Sequence, residues 1–346
     1  MSSTKTGYLL INLGTPASAA VADVRRYLHE FLMDPYVLDA PWPIRKLIVS
    51  CFILPFRPKD SAHAYASIWR PEGSPLLLES QALCDALGAN LQTPVALAMR
   101  YGEPGIAAAV TALRAQCVDE IVVVPLYPHY ADSTVTTSVE AARAHLGDHP
   151  HRVLPVFFAD PRYIEALAAS VRAHLPKHWD HLLLSYHGLP ERHLTKADPT
   201  QGHCLNSEDC CERPSPAQST CYRHQVMTTS RLLTAALEIE PERYSVSFQS
   251  RLGRLPWLQP YTDQRLEELA AQGVRDLVVA CPAFVADNLE TLEEMGIAGR
   301  KTFLDAGGAS FTLVPCLNAQ PDWIEAFAQI LDADRARTDL AVEAAD

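Results

Sequence analysis

The chain has 346 residues, 48% of them apolar, and a net charge of −12 at neutral pH. That is enough length and apolar content for two domains of about 150 residues, and the wrong sign of charge for a nucleic-acid partner. No run of about 18 apolar residues occurs, which excludes a membrane-spanning helix. The opening MSSTKTGYLLINLGTP leads straight into a strand-like segment, without the pattern of a signal peptide. A cytoplasmic protein is therefore expected, with its nine cysteines read as thiols or metal ligands rather than a disulfide framework.

In chain order, the first predicted strand is Tyr8–Leu13, ending in INLGTP at 11–16. Asp39–Pro75 then breaks the pattern with PWPIRKLIVSCFILPFRPK, where Trp42, Ile44, Leu47, Ile48 and Phe52 form an apolar stripe beside Arg45, Lys46, Arg57 and Lys59. It reads either as a core helix with a basic rim or as an apolar lip at a pocket mouth that touches a membrane surface. A strand Val95–Arg100, a helix Glu103–Cys117, a strand Glu120–Leu126 and a strand Arg152–Phe157 follow. The second half repeats the alternation: helix Pro161–Leu175, strand His181–Tyr186, a polar insertion over Thr195–Thr220, helix Cys221–Leu237 and strand Tyr244–Gln249. Helix Thr262–Gln272 and strands Asp276–Cys281 and Phe311–Cys316 complete it, and the acidic, alanine-rich tail after Leu331 reads as a frayed or disordered end.

Continuous apolar runs such as IVVVPLY at 121–127 and DLVVACP at 276–282 suit parallel strands covered on both faces. Eight strands divide into two sets of four. The expected fold is α/β: two similar doubly wound domains, each with a four-stranded parallel sheet flanked by helices. The first domain is expected over 1–157 and the second over 158–320, with a final helix over 321–346 packing back on the first. Ligands of such sheets sit beyond the carboxyl ends of the strands. Reading those ends collects Leu13, Arg100, Tyr101, Tyr130, His187 and Arg251, a cleft of apolar and aromatic character with a few polar groups. Neither GxGxxG nor GxxxxGK[ST] occurs, so a nucleotide cradle has no support.

Three stretches hold the chemistry: LLLSYHGLPER at 182–192, SFQSRLGRLPWLQPYTD at 247–263 and CPAFVADNLETLEEM at 281–295. With INLGTP at 11–16 and YPHYADSTVTTS at 127–138, they resemble the ferrochelatase family from about Gly7 to Trp323. The resemblance implies a chelatase-like fold and insertion of ferrous iron into protoporphyrin IX to form protohaem, with release of two protons. Such a site binds a flat apolar ring, delivers a dehydrated cation and removes two pyrrole protons.

By position alone, His187 is a turn histidine as readily as a catalytic one; matched to the family motif, it becomes the catalytic histidine, able to ligate Fe²⁺ or accept a proton. Glu290 and Glu294, spaced i, i+4, share a helix face. The resemblance makes Glu290 the second catalytic and iron-binding group, with Glu294 and Asp287 along an acidic path. The plainer reading has Asp287 as a helix N-cap. Asn288 stands where the family has histidine, which moves the work of proton removal onto His187 and Glu290.

Trp257, with Leu252, Leu255 and Pro256, reads equally as pocket wall or core. Arg100 and Tyr101 are placed as anchors of a porphyrin propionate. Tyr130 joins the porphyrin-binding set, and Ser133 with Thr134, Thr136 and Thr137 offers either N-capping hydroxyls or a second propionate site. Family members that use coproporphyrin often carry tyrosine at the place of Leu13, so leucine points to protoporphyrin IX.

Cys204, Cys210, Cys211 and Cys221 lie close together. Four thiolates suit a [2Fe–2S] cluster or zinc, with a disulfide or free thiols as the plain alternative. Some relatives carry such a cluster; the tail here has no cysteine and Asp132 holds the usual upstream position, so the insertion must supply every ligand. The resemblance also implies peripheral contact with the inner face of the membrane and contact with the oxidase that precedes this step of the porphyrin pathway. Rival readings are a coproporphyrin, cobalt or sirohydrochlorin chelatase, or a non-catalytic haem or iron–sulfur binding protein.

Overall fold

The computed structural model describes residues 5–251, 253 and 255–343, with side chains to residue 337. The chain forms two compact units. One comprises the chain up to Tyr127, Asp132–Pro155 and the chain from Asn318; the other comprises Pro128–Ala131 and Val156–Leu317.

In the first unit, β1 (Thr6–Gly14), β2 (Val95–Tyr101), β3 (Glu120–Pro125) and β4 (His151–Val153) form one sheet in the order β2-β1-β3-β4. In the second, β5 (His181–His187), β6 (Tyr244–Gln249), β7 (Asp276–Ala280) and β8 (Ser310–Leu313) follow the same plan, β6-β5-β7-β8. Every pairing within both sheets is parallel. This is the α/β arrangement expected from the continuous apolar runs. Leu9, Ile11, Ala98 and Val123 pack against Val110 and Leu113 of helix Ile106–Ala115 and Ala142 and Leu146 of helix Thr137–Leu146. In the second unit Leu183, Leu277, Val279 and Phe311 pack with Leu266, Leu269, Met295 and Phe303.

Two of the edge strands, β4 and β8, are shorter than expected. Pairing in β4 stops at Val153 and in β8 at Leu313. Leu154, Phe157, Val314, Cys316 and Leu317 nevertheless stay buried. The apolar run continues where the ladder does not. The disordered alternative for the tail is not met: one helix runs over Pro321–Glu343. Trp323 and Phe327 are fully buried and stacked at 4.7 Å, and Arg152 on β4 pairs with Asp334.

The segment after Asp39 contradicts its core-helix alternative. It forms a short helix Trp42–Leu47, a π-helical turn Ile48–Ile53 and a helix Arg57–Ile68. Trp42, Ile44, Leu47, Phe52 and Phe56 are 51–71% exposed, while Arg45 is buried and donates to the carbonyls of Leu38 and Ala40. The stripe faces outward, and the polar residue faces in.

Candidate active site

His187 is the last residue of β5 and is half-buried. Its Nδ1 lies 2.6 Å from the carbonyl oxygen of Gly188. A carbonyl only accepts, so Nδ1 carries the proton and Nε2 is left to present its lone pair. The ring lies edge-on to Phe284, with centroids 6.4 Å apart. Gly188 follows for a steric reason: its N–H donates to Gln249 O at 2.7 Å, and an added Cβ would come within 2.9 Å of that same oxygen and 3.2 Å of the Trp257 ring. The glycine of the HGLP turn lets β6 approach at this point.

The acidic residues come from the segment after β7. Asn288 is the cap: its Oδ1 accepts from Thr291 N at 3.0 Å, and its N–H donates to Thr291 Oγ1 at 3.0 Å. This reciprocal pair is a form of capping box, and it corrects the reading of Asp287 as the N-cap. The Asn288 amide donates to Ala286 O, so the side chain is a structural lock on the loop. Asp287 is buried; it accepts from Cys316 N at 3.1 Å and from Thr291 Oγ1 at 3.3 Å. Beside it, burial pushes the Cys281 and Cys316 thiols up, and the Asp287 charge adds to both shifts.

From Glu290 to Gly299 the helix is π-helical, a form used mostly in short pieces and frequently at functional sites. Gln249 Nε2 donates to the Glu290 carbonyl at 3.1 Å. Glu294 is gripped by Ser250, whose N–H donates to Oε1 at 2.8 Å and whose hydroxyl donates to Oε2. Ser250 adopts a left-handed backbone, φ 65°, to make both bonds. Burial pushes the Glu294 carboxyl up; Ser250 opposes this, the Glu290 charge adds to it and His187 pulls it down. Glu290, Glu294 and His187 are thus one electrostatic group, with Glu290 and His187 each half-buried.

The strand ends of the first unit are organised differently from expectation. Arg100 and Tyr101 do not stand as free propionate anchors. Arg100 Nη2 pairs with Asp34 Oδ2 at 2.5 Å, and its Nε donates to Thr137 Oγ1 at 2.8 Å. Tyr101 is 1% exposed and donates its hydroxyl to the same Asp34 oxygen at 2.9 Å, as does Thr137 at 2.6 Å. Burial pushes the Tyr101 phenol up. Asp34 was missed in the sequence because the side chains it gathers, Arg100, Tyr101 and Thr137, lie 66 to 103 positions away. Gly14 of INLGTP has φ 115°, and a Cβ there would collide with Tyr101 O at 1.8 Å. Leu13 is half-buried beside it. Ser133 sits half-buried in the π-helical turn Asp132–Thr136, where Thr136 donates to Asp132.

In the second unit Tyr130 N donates to Gln225 Oε1 at 2.7 Å. Trp257 is half-buried and bridges to Pro190, while Leu255 and Pro256 are exposed and Leu252 lies outside the described residues. A cavity of about 560 Å³ opens between the helix Glu191–Ala197, the loop over 202–206 and Leu255–Pro256.

Cys204 and Cys211 both interact electrostatically with Cys221 and with Cys210. Arg223 Nη1 lies 3.7 Å from Cys210 Sγ and 3.5 Å from Cys211 Sγ, and His224 N donates to Cys221 Sγ at 3.5 Å. The Cys211 thiol pulls the Cys221 thiol down, whereas burial pushes Cys204 up. All four cysteines are unpaired, and three of them are buried. Asp198 organises the loop by accepting from the N–H groups of Thr200, His203 and Cys204. Burial pushes its carboxyl up, but these donors outweigh burial and hold it low. In kind, four thiols with a guanidinium and an N–H aimed at their sulfurs fit a thiolate-ligated centre. Among the described residues, however, no group of three or more His, Cys, Asp or Glu side chains is arranged around a single metal position.

The family profile Ferrochelatase matches residues 5–334. A ferrochelatase of Ectopseudomonas mendocina (strain ymp) is 56% identical over 324 residues, 92% of this chain and 95% of that protein. Ferrochelatases of Stutzerimonas stutzeri (strain A1501) and Azotobacter vinelandii (strain DJ / ATCC BAA-1303) are 52% and 54% identical, over 94% and 93% of this chain and 97% of each of theirs. Among solved structures, SirB from Bacillus subtilis with Fe³⁺ superposes with a TM-score of 0.53 at 12% identity, covering 97% of this chain and 98% of its own. The cobalt complex of the sirohydrochlorin chelatase SirB from Bacillus subtilis subspecies spizizenii gives 0.51 at 11% identity, covering 94% and 93%. At that identity the likeness to SirB is one of fold.

Proposed function

The chain belongs to the ferrochelatase family, and we propose on that basis that it inserts ferrous iron into protoporphyrin IX, releasing two protons to form protohaem. The observation that carries the reading is His187: a strand-end imidazole with its Nδ1 proton committed to Gly188 O, in one electrostatic group with Glu290 and Glu294. Nε2 then either takes the metal or takes a pyrrole proton. Glu290 is the second catalytic and metal-binding group, and Glu294, held by Ser250, receives protons from it. Asp287 sits further along the same loop as a buried acid. Asn288, locked into the cap, carries no proton in this route. Insertion needs no redox change, so the balance is one Fe²⁺ in and two H⁺ out.

Leu13 favours protoporphyrin over coproporphyrin as substrate, and in the second unit Trp257 and Tyr130 are porphyrin-contacting residues in this reading. An anaerobic metallation assay tests it with two porphyrins, protoporphyrin IX and coproporphyrin III, and two metals, Fe²⁺ and Zn²⁺. Multiple turnovers with protoporphyrin support the proposal. A single equivalent marks a binding protein, and preference for coproporphyrin overturns the substrate assignment; Leu13→Tyr should move preference in that direction.

The cysteine insertion, in this reading, holds a [2Fe–2S] cluster through Cys204, Cys210, Cys211 and Cys221. Its support is the donors of Arg223 at the sulfurs of Cys210 and Cys211 and of His224 N at Cys221, with Cys204 and Cys211 in electrostatic interaction with Cys221. Such a centre would cross-link a polar loop that has little apolar content of its own. Protein purified anaerobically from iron-replete cells should be coloured and contain labile sulfide; colourless protein without it removes the cluster, and zinc in its place leaves only the structural role. The outward stripe Trp42, Ile44, Leu47, Phe52 and Phe56, with Lys46, Arg57 and Lys59 exposed beside it, supports peripheral membrane contact. Co-sedimentation with anionic vesicles, abolished by Phe52→Ser with Phe56→Ser, tests it. No helix among the described residues is long and apolar enough to cross a membrane.

A further inference from the structure

The peptide unit that joins His187 to Gly188 is held at both ends. Its N–H donates to Gln249 O at 2.7 Å, and its carbonyl, that of His187, accepts from the Tyr222 hydroxyl at 2.9 Å. The next carbonyl along, Gly188 O, takes the Nδ1 proton of His187. The ring therefore follows the backbone around this one peptide. A trans peptide is rigid in itself but rocks about the φ and ψ on either side. Fixing both of its polar ends stops that rocking and with it the swing of the imidazole.

Tyr222 is itself tightly placed. It is 6% exposed, its ring lies edge-on to His129 at 5.9 Å, and it is the first residue of the helix Tyr222–Ala236, directly after the cap residue Cys221. The first turn of that helix is bonded to the cysteine insertion at several points. Cys221 Sγ accepts from His224 N, His224 Nδ1 lies 2.7 Å from Cys211 O, Arg223 reaches the sulfurs of Cys210 and Cys211, and Gln225 Nε2 donates to Ser219 O at 3.0 Å. Whatever orders the insertion orders this turn, and the turn carries the phenol that holds His187.

We propose that Tyr222 is a positioning residue that couples the cysteine insertion to His187: order in the insertion passes through the first turn of the helix into the Tyr222–His187 hydrogen bond and sets the aim of the imidazole. The proposal rests on His187 being the metal-inserting histidine. Spatial intermediacy alone does not establish coupling, so the decisive measurement is a double-mutant cycle. Wild type, Tyr222→Phe, Cys221→Ser and the double variant are compared as full chains. Phenylalanine removes only the hydroxyl, and serine keeps a capping oxygen while removing the thiol.

Two quantities are read: kcat and KM for metal insertion, and amide hydrogen exchange in the peptide spanning His181–Pro190. Tyr222→Phe should lower kcat about five- to tenfold, the loss of one hydrogen bond, with the porphyrin KM changed by less than about twofold and iron content as in wild type. It should also speed exchange in His181–Pro190. Cys221→Ser should speed exchange in the same peptide when Tyr222 is present, and add little in the Tyr222→Phe background. Additive effects, or exchange in Tyr222→Phe equal to wild type, overturn the proposal. Should Tyr222→Phe fail to fold, Arg223→Met loosens the turn from Cys210 and Cys211 without touching Tyr222; unchanged exchange in His181–Pro190 then overturns it. Wild type that inserts no metal sinks the functional reading, while the exchange cycle still decides the coupling.

Discussion

The sheets of the two units have the same strand order, but their carboxyl edges are put to different chemical use. At the end of β2, Asp34 gathers Arg100, Tyr101 and Thr137, and its other oxygen takes the N–H of Tyr36 at 2.7 Å. The charges there are paired and mostly buried. At the end of β5, His187 keeps Nε2 available, and two glutamates share one electrostatic neighbourhood with it. One edge is closed by mutual satisfaction, and the other keeps half-buried titratable groups within reach of solvent. Topology places ligands at the carboxyl edge; only the pairing of side chains says which edge holds reactive groups.

The comparison breaks first at His187. His187→Ala should cut metal insertion by about a thousandfold or more, with porphyrin binding, read by fluorescence quenching, retained. Near-normal turnover would make both edges structural. The closed edge has its own test. Asp34→Ala leaves the Arg100 guanidinium without its carboxylate and should cost about 3 kcal/mol of stability, read by denaturant unfolding, while kcat of the folded fraction holds. A large fall in kcat instead would mean that the closed edge takes part in turnover.

Glu290→Gln should lose about a hundredfold in kcat, and Glu294→Gln about tenfold or less, because Glu294 is already tied down by Ser250. Equal small losses would demote the pair to a solvated helix face.

The last test concerns stability at acid pH and His129, 3% exposed, whose Nε2 lies 2.8 Å from Thr229 Oγ1 and whose Nδ1 has no hydrogen-bond partner among the described residues. Burial pushes it down from 6.5 to about 3. The native state therefore binds fewer protons than the unfolded one between those values, so stability rises with pH across that window and is lost as pH falls below 6.5. His129→Gln should flatten the dependence of unfolding free energy on pH between about 3 and 6.5 by up to about 1.4 kcal/mol per pH unit. An unchanged slope would assign the acid sensitivity elsewhere.

Much was legible in the sequence because it is written locally. The apolar runs at 121–127 and 276–282 declared buried parallel strands, and all eight strands lie where the runs fall. SYHGLP placed His187 at a strand end, and the spacing of Glu290 and Glu294 put them on one helical segment. What the local pattern could not carry is partnership between distant positions. Nothing in the sequence says that Arg100 is claimed by Asp34, that Ser250 grips Glu294, or that Tyr222 holds the carbonyl of His187. Nor does a periodic apolar stripe reveal which way it faces: Trp42, Ile44, Leu47 and Phe52 suit a core as well as an outer surface, and folding turned them out and Arg45 in. Short-range periodicity fixes which residues share a face. Which face is buried, and which donor is already committed, depends on groups brought together from far along the chain, and the tertiary structure alone decides that.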